Sequence, residues 1–393
     1  MPSEQATWLI SVPDDSDAIG LPQSLVTKLV QARAVSRENT ASLEVPGLKT
    51  GTLDLLITLS EELPKHDHSF TQITAKIVET LRNLLSNDPT RLSQHVRVDE
   101  RTVDEYLLGG WKWNTGKYPI NRGLRELVDG LVKEMNSIDN VMKAKLNAYN
   151  LAKGSLVQMQ RKKTGNLAVR SLAEVVSKED FIPESEYMES LMVAVPKNSV
   201  KDWETKYERL ASMVVPRSSK KVAEDDDYAL FSVVVFKKVH DEFAQKLREN
   251  KFILRDFTYS PTAIQKATED FSVAETTERE LWTELLRISR TNFSEAFQVL
   301  VHLKVVRLFV ESVLRYGLPA QFVGIVVKPD VKSPKKALQV LTEHFKYLAN
   351  RSNSSKTKTA PAAGGSEELA AEYQSLMEQE FLDFVVFEVP WIV

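Results

Sequence analysis

Gly110, Gly116 and Lys117 stand in the segment GGWKWNTGKYP in an order that resembles a phosphate-binding loop. Such a loop has four residues between its glycines and a Ser or Thr after its lysine, because these groups must reach the phosphates and Mg²⁺. Here five residues separate the glycines, and Tyr118 follows the lysine. Two tryptophans occupy the positions where the backbone would have to wrap a phosphate. We therefore expect a buried aromatic turn and no nucleotide-binding site.

Histidines could supply a second kind of chemistry, metal binding. His66, Asp67 and His68 offer two imidazoles and one carboxylate, but side chains this close in a helix do not face one another. We interpret them as a solvated cluster at a helix N-terminus and keep a metal site as the less favoured alternative. The other histidines lack metalloprotease spacing, and the chain has no cysteine.

Four acidic residues form the third group. They are Glu224, Asp225, Asp226 and Asp227, and they precede a strand-like run. A metal-binding loop is one interpretation, but the spacing matches no calcium loop. A solvated turn or an acidic docking surface is favoured. The sequence therefore predicts no catalytic residue, no cofactor and no metal ligand, and it favours a scaffold over an enzyme.

Composition limits the partners. The 393 residues are 42% hydrophobic and 27% charged with a net charge of −3, so nothing indicates nucleic-acid binding. The absence of cysteine fits a reducing cytosolic compartment.

The most apolar long segment, 296–314, is interrupted by charged side chains, so we expect no direct membrane insertion. Lys304, Arg307, Glu311 and Arg315 predict a single wet stripe on this otherwise buried helix.

Two long helical patterns dominate the rest of the chain. Apolar residues recur at alternating steps of four and three from Leu124 to Met159, and a similar pattern covers 260–316. This spacing is typical of a coiled-coil seam. Helices over 121–165 and 260–316 would be about 67 Å and about 85 Å long, whereas a compact globule of this size is roughly 55 Å across. The sequence therefore predicts an elongated molecule in which two long helices pair antiparallel.

The stretch between the two helices, 166–258, predicts a small globular domain. Strand-like and helical segments follow one another there in the order βαββαβ, with the short run MVVP at 213–216 as the second strand. This order suggests an α/β domain with a mixed sheet. Because it is inserted between the paired helices, it would form a head on a helical neck.

Both chain termini are expected at the other end of the neck. TWLISVP, FVGIVVKP and FVVFEVP are strand-like, and we expect the termini to share one sheet. Helices are predicted at 21–31, 52–62, 66–86 and 333–348. The Ser/Thr/Gly-rich segment 350–365 predicts a mobile loop. Between Lys328 and Lys358, eight basic residues stand against two acidic ones, which predicts a basic surface.

Several segments together resemble the C subunit of the eukaryotic vacuolar-type proton-pumping ATPase. They are WKWNTGKY (111–118), QRKKTGNLAVRSL (160–172), VAVPK (193–197), FKK (236–238) and ESVLRYGLP (311–319). The resemblance implies an elongated, mostly helical α+β fold with a small α/β head inserted between two antiparallel neck helices. Its parts would be a foot at 1–120 and 296–393, a neck at 121–165 and 259–295, and a head at 166–258.

The resemblance also implies a function. Members of this family are non-catalytic stator subunits of the V1 sector. They join the peripheral stalks, which are heterodimers of the E and G subunits, to each other and to the cytosolic domain of the a subunit. They are needed for V1–Vo assembly and are released during regulated disassembly. The resemblance further implies a cytoplasmic protein, peripheral on the cytosolic face of the vacuolar membrane and other endomembranes, and actin binding as a family trait.

Two charged surfaces are the predicted contact sites. In the head, the predicted stalk contacts are Glu224, Asp225, Asp226 and Asp227, and in the foot the predicted partner contacts are Lys332, Lys335 and Lys336. The alternative function is that of a cytoskeletal (actin) cross-linking protein, which elongation and the basic segment 328–358 would also serve.

Overall fold

The computed structural model describes residues 6–13, 21–182, 185–257, 259–348 and 382–391. The chain divides into two units, one of Met1–Ala144 with Glu284–Val393 and one of Lys145–Thr283. The strands in the described ranges are β1 (Ala6–Pro13), β2 (Thr40–Leu43), β3 (Met188–Pro196), β4 (Lys220–Glu224), β5 (Tyr228–Phe236), β6 (Ile253–Arg255), β7 (Phe322–Val327) and β8 (Val385–Pro390). The α-helices there are α1 (Leu21–Gln31), α2 (Leu53–Leu84), α3 (Pro89–His95), α4 (Val103–Leu108), α5 (Leu124–Thr164), α6 (Val200–Lys206), α7 (His240–Glu249), α8 (Pro261–Tyr316) and α9 (Pro334–Phe345).

The sheet of the first unit has the strand order β2-β7-β1-β8, and all its pairs are antiparallel. Ile10 of β1 lies opposite Ile325 of β7 on one side and opposite Val386 of β8 on the other. Alternate residues of β1, including Trp8 and Val12, point to one face and share a core with α1 and α9. The prediction that the two termini share one sheet is confirmed.

α2 is one continuous helix of 32 residues, where the sequence predicted two helices at 52–62 and 66–86. Pro64 lies inside it, although a proline cannot donate a backbone N–H to the preceding turn. The apolar stripe continues across the proline, with Leu63 and Phe70 both buried. The predicted break is wrong because burial of this stripe offsets the lost hydrogen bond.

α5 and α8 confirm the two long helices, with 41 and 56 residues. In the first unit, Met142 of α5 contacts Ser289 of α8, with 4.0 Å between Sδ and Oγ. Glu134 of α5 and Glu295 of α8 bind the same ammonium group, that of Lys117. The contacting residues run in opposite directions along the two helices, so these pair antiparallel.

The last part of α8 is more buried than the sequence predicted. Almost all side chains from 296 to 310 are inaccessible, and Lys304 is only 4% exposed. The predicted wet stripe is therefore wrong at this position. Lys304 and its neighbour Arg307 bind Asp67 of α2 instead of facing water.

The sheet of the second unit has the strand order β4-β5-β3-β6, and every neighbouring pair is antiparallel. The order βαββαβ along the chain is confirmed, but the predicted mixed sheet is wrong. β3 and β4 run in the same direction on either side of β5, and β5 and β6 do so on either side of β3. The connection through α6 joins β3 to β4 across β5, and the connection through α7 joins β5 to β6 across β3. Each parallel pair is therefore separated by one strand, and no two neighbouring strands are parallel.

The position of β4 is a second correction in this sheet. The sequence placed the second strand at MVVP, 213–216, but Val214 forms only an isolated bridge with Val235. The strand lies later, at Lys220–Glu224. Its sequence, KKVAE, is mostly polar because β4 is at the edge of the sheet, so it lacks the apolar pattern by which strands are found.

The two central strands of this sheet bury side chains on both faces. Val193 and Phe231 pack on one face with Trp203 of α6, and Met192 packs on the other with Leu167. Strands buried on both faces need apolar residues at successive positions, which explains the continuous runs MESLMVAVP and YALFSVVVF.

The fold is thus α+β and mostly helical with two long paired helices, as predicted, and its two small sheets are both antiparallel. The finer division into foot, neck and head stays a prediction. The predicted mobile loop at 350–365 lies outside the described residues.

Candidate functional site

The predicted acidic surface, Glu224–Asp227, is the turn between β4 and β5. Asp225 turns inward, and its carboxylate accepts the backbone N–H groups of Leu167 (2.5 Å), Asp227 (2.9 Å) and Tyr228 (2.6 Å). Burial opposes ionisation of Asp225, but these hydrogen bonds outweigh it and lower the pKa of its carboxyl. Asp225 therefore holds the turn in place.

The other three acidic side chains of the turn are exposed. Glu224 is paired with Lys221 and, at 3.4 Å, with Lys197, and the hydrogen bond from Lys221 is the main cause of its lowered pKa. Asp226 and Asp227 are therefore the two carboxylates of the turn best placed to meet a cation of another protein.

The predicted basic contacts, Lys332, Lys335 and Lys336, are also exposed. Lys332 lies in the turn before α9, and the other two lie in the first turn of that helix. α9 buries its apolar side, including Leu341, against the sheet of the first unit, so its lysines stay on the outer side. The acidic turn belongs to the second unit and these lysines to the first. Their roles as contacts stay predictions.

WKWNTGKY forms the buried aromatic turn that the sequence predicted. The rings of Trp111, Trp113 and Tyr118 surround His302 of α8, with centroids 5.1, 4.9 and 4.8 Å from that of the imidazole. Nε2 of His302 accepts a backbone N–H of the turn at 3.2 Å, and Nδ1 donates to a carbonyl of α8 at 2.7 Å. Burial lowers the pKa of His302 to about 4, so the ring is neutral in this cage.

Lys117, the lysine that a phosphate-binding loop would use, is engaged by protein carboxylates. Its Nζ is 2.5 Å from Glu134 and 2.7 Å from Glu295. Burial alone would lower the pKa of Lys117, but the hydrogen bonds that its ammonium group donates to these two carboxylates raise it. The ammonium group therefore fastens the aromatic turn to α5 and α8.

Asp67 is the clearest departure from the sequence analysis. The predicted solvated cluster at a helix N-terminus is wrong, because residues 66–68 lie in the middle of α2 and Asp67 is 6% exposed. Oδ1 of Asp67 is 2.6 Å from Lys304 Nζ, and Oδ2 is 2.7 Å from Arg307 Nη1. Burial lowers the pKa of Lys304 although the carboxylate of Asp67 opposes this. The triad of Asp67, Lys304 and Arg307 ties α2 to α8.

An open cleft of about 600 Å³ lies beside this triad. Its lining includes Pro64 and Thr71 of α2, Arg307 of α8, and Leu382, Val386 and Pro390 at β8. The guanidinium of Arg307 lies over the ring of Phe387, 4.2 Å from its centroid. The cleft could not be predicted from the sequence, because its walls come from three distant parts of the chain.

The described residues were also compared with what a metal site and a membrane-spanning helix require. In the ranges that the structure describes, no three His, Asp or Glu side chains are grouped so that they could hold a metal ion. Among the described helices, none is long and apolar enough to span a bilayer.

Known proteins resemble this chain in sequence along most of its length. The sequence model of the family described as the C subunit of V-ATPase matches residues 7–385. The chain is 36% identical to the V-type proton ATPase C 1-A subunit of Danio rerio over 382 residues, which is 97% of each chain. It is 38% identical to the C 1 subunit of Xenopus tropicalis and 39% identical to the C 1 subunit of Rattus norvegicus. Each of these two matches covers 87% of this chain and 88% of the relative.

The relatives in these matches are all subunits of V-type proton ATPases. Within that class, the chain belongs to the V-ATPase C-subunit family, since the family match extends over almost its whole length.

Proposed function

We propose that this chain is a non-catalytic stator subunit of a rotary V-type proton-pumping ATPase. In this role it links the peripheral stalks, which are E–G heterodimers, to the cytosolic domain of the a subunit. It contributes to V1–Vo assembly and is released in regulated disassembly. The match to C-subunit relatives over 87–97% of the chain carries the proposal. The chain would act in the cytoplasm, peripheral on the cytosolic face of the vacuolar membrane and other endomembranes.

The two units support a connecting role. Each has its own sheet and its own buried core, and the acidic turn and the basic helix face lie on different units. A rotary motor delivers torque only if its stationary parts cannot turn, so a connector needs separate contact surfaces on well-packed elements. The head, 166–258, would bind one stalk. The foot, 1–120 with 296–393, would bind a second stalk and the a subunit.

The charged character of both surfaces fits a protein that is released. Exposed ion pairs contribute little individually and are screened by salt. An interface built from them is specific and reversible, unlike a large apolar interface. Asp226 and Asp227 on one surface and Lys332 and Lys336 on the other are the exposed charges that would form it.

Binding of the full chain to purified E–G heterodimers tests the proposal. We expect binding at low salt, with an affinity that falls as the ionic strength rises. The double variant Asp226→Lys/Asp227→Lys should bind more weakly. The matched control is Asp256→Lys, at an exposed position in the same unit, and it should bind like the wild type. Absence of binding at any salt concentration would contradict the proposal.

The alternative, a cytoskeletal (actin) cross-linking protein, is supported by the exposed lysines at 332, 335 and 336. Co-sedimentation of the full chain with actin filaments, together with no affinity for E–G heterodimers, would favour that function over the stator.

A further inference from the structure

A groove of about 170 Å³ lies in the second unit, where the end of α5 passes the beginning of α8. Its floor is apolar and comes from both helices, with Met159 of α5 and Ile264, Ala267 and Phe271 of α8. The three α8 residues are three and four positions apart, so they share one face of that helix. Met159, Ile264 and Phe271 are only half-buried. The two helices therefore leave part of their apolar sides uncovered at this place.

Polar side chains surround this apolar floor. Lys162 and Lys163 come from the last turn of α5, Thr268 comes from α8, and Ser171 comes from the segment that follows α5. Their two ammonium groups and two hydroxyl groups can all donate hydrogen bonds. Among the described residues that line the groove, none is acidic. An apolar recess with a few polar groups is the usual form of a small-molecule site, and these donors select an anion.

The wall that carries Ser171 is held in place by hydrogen bonds to the backbone. The N–H of Ser171 donates to the carbonyl of Lys162 at 2.6 Å. Arg255 of β6 donates to the carbonyl of Arg170 at 2.6 Å and also to that of Ala168. Groups on a fixed wall need little ordering when a ligand binds, so little affinity is lost to that cost.

The end of α5 makes the groove electrostatically positive. From Lys145 to Thr164 this helix carries five basic residues and no acidic one. Lys163 lies over the ring of Phe271, with its Nζ 5.3 Å from the ring centroid, so a positive charge stands directly beside the apolar floor. Lys162 is exposed at the rim. A ligand that combines an apolar body with an anionic group would complement both features.

The dimensions of the groove limit the apolar body to about one ring. An engineered apolar cavity of about 150 Å³ binds benzene, and this groove is of similar volume. From Ile264 to Phe271 the apolar face of α8 is about 10 Å long. One turn further the same face presents Glu275, which is exposed and paired with Arg279. The acyl chain of a lipid or a long peptide would therefore gain no further apolar contact along this face.

We propose that this groove binds a small free molecule that joins one apolar ring to a carboxylate or phosphate group. The ring packs against Ala267 and Phe271, and the anionic group accepts hydrogen bonds from Lys162 and Lys163. The inference goes beyond the proposed function, because a connecting role does not require a small-molecule site.

The test titrates three probes into the full chain at low salt and follows binding by NMR. Phenyl phosphate carries both the ring and the anion, benzyl alcohol carries the ring alone, and inorganic phosphate carries the anion alone. We expect phenyl phosphate to bind at least about tenfold more tightly than either of the others, because only it uses both parts of the groove. Absence of phenyl phosphate binding would overturn the proposal. So would equal affinity for inorganic phosphate, since the site would then attract any anion.

Two double variants separate the lysines of the groove from the total charge of the helix. Lys162→Gln/Lys163→Gln should weaken the binding of phenyl phosphate by about tenfold or more. The matched control, Lys153→Gln/Arg161→Gln, removes the same charge from the same helix at residues that do not line the groove. It should bind within about twofold of the wild type. Equal losses in the two double variants would contradict the site.

Filling the groove tests its apolar part. Ala267→Leu places a larger side chain in the groove and should abolish the binding of phenyl phosphate. Gln265→Leu adds the same side chain at an exposed position of α8 that does not line the groove, and it should leave binding unchanged. Leucine is a good helix former, and circular dichroism checks that both variants fold. Unchanged binding by Ala267→Leu would overturn the proposal.

Contacts in the wild-type complex provide a measurement that needs no variant. Nuclear Overhauser effects should connect the phenyl protons with the methyl groups of Ile264 and Ala267. Contacts with other methyl groups only would overturn the proposal. So would a short phosphotyrosine peptide that binds more than tenfold more tightly than phenyl phosphate, because a segment of another protein would then be the occupant. No partner subunit takes part in these experiments, so their failure would leave the proposed function standing.

Discussion

Lys304 and Asp67 are 237 residues apart in the chain, yet their side chains form a buried ion pair of 2.6 Å. The Asp67 carboxylate also binds Arg307, so one acid holds two bases between α2 and α8. A buried charge is tolerated only when it is paired. The packing of these two helices against each other therefore depends on this carboxylate.

Removing Asp67 should destabilise the first unit strongly. Asp67→Ala takes the bound carboxylate away from the buried Lys304 and the partly buried Arg307, and we expect a loss of about 3–5 kcal/mol in the free energy of unfolding. Lys304→Met leaves Asp67 paired with Arg307 and should cost less. Urea unfolding followed by circular dichroism measures both. The control is Asp129→Ala, which breaks an exposed pair with Arg125 and should change stability by about 0.5 kcal/mol or less. Equal losses in all three variants would contradict this account of the triad.

His302 should make stability depend on pH. An unfolded histidine titrates near 6.5, whereas burial lowers the pKa of His302 to about 4. Between these values the unfolded state binds a proton that the folded state does not. Stability should therefore fall as the pH falls from about 6.5 to about 4, by about 3 kcal/mol in total.

The variant His302→Gln isolates this contribution. Glutamine does not titrate, so the stability of the variant should change less with pH than that of the wild type. Contributions from other histidines are common to both proteins and cancel in the comparison. Identical pH dependences in chemical denaturation from pH 7 to pH 4 would contradict a buried neutral imidazole.

Asp225 and Asp226 are adjacent and should behave differently. Asp225→Ala leaves three backbone N–H groups without their acceptor, and we expect a loss of about 1–3 kcal/mol. Asp226→Ala removes an exposed carboxylate and should leave stability nearly unchanged. Because the pKa of Asp225 is lowered, its stabilisation is present above the ordinary value of 3.8 and is lost as the pH falls below it. Thermal unfolding of both variants measures the difference. A larger loss of stability in Asp226→Ala than in Asp225→Ala would contradict the prediction.

The basic surface of the first unit makes a prediction about binding. Lys332→Glu/Lys336→Glu should weaken the affinity for the cytosolic domain of the a subunit at low salt and have little effect at high salt. Lys133→Glu on α5 changes one exposed charge of the same sign in the same unit and serves as the control. Calorimetric titration at two salt concentrations measures the difference. A loss that does not depend on salt would argue against a charged contact.

Local pattern was sufficient for the long elements. The alternating steps of apolar residues predict the bounds of α5 and α8 to within about three residues. This is possible because the apolar residues that repeat along each helix are the ones that pack where the two helices pair. The aromatic turn was also predictable, since Trp111 and Trp113 are too large for a phosphate loop. The corrections arise where the fold depends on distant residues. Nothing in the neighbourhood of Asp67 indicates that Lys304 will meet it, so a buried ion pair was interpreted as a solvated cluster.

The remaining errors have similar causes. Pro64 indicated a break in α2, but the buried stripe on both sides of it outweighs one lost hydrogen bond. The edge strand β4 carries a polar sequence, so an apolar run nearby was taken for it. The cleft at β8 could not be predicted, because it forms only when both termini meet in one sheet and α2 packs beside them.

Simultaneous binding tests the central claim most directly. The full chain is mixed with purified E–G heterodimer and the cytosolic domain of the a subunit, and the masses of the complexes are measured by sedimentation. A stator connector should form a single complex that contains all three components, and the two probes should not associate when the chain is left out. If the two probes compete for the chain, or if only one of them binds, the chain does not connect them and the account is wrong.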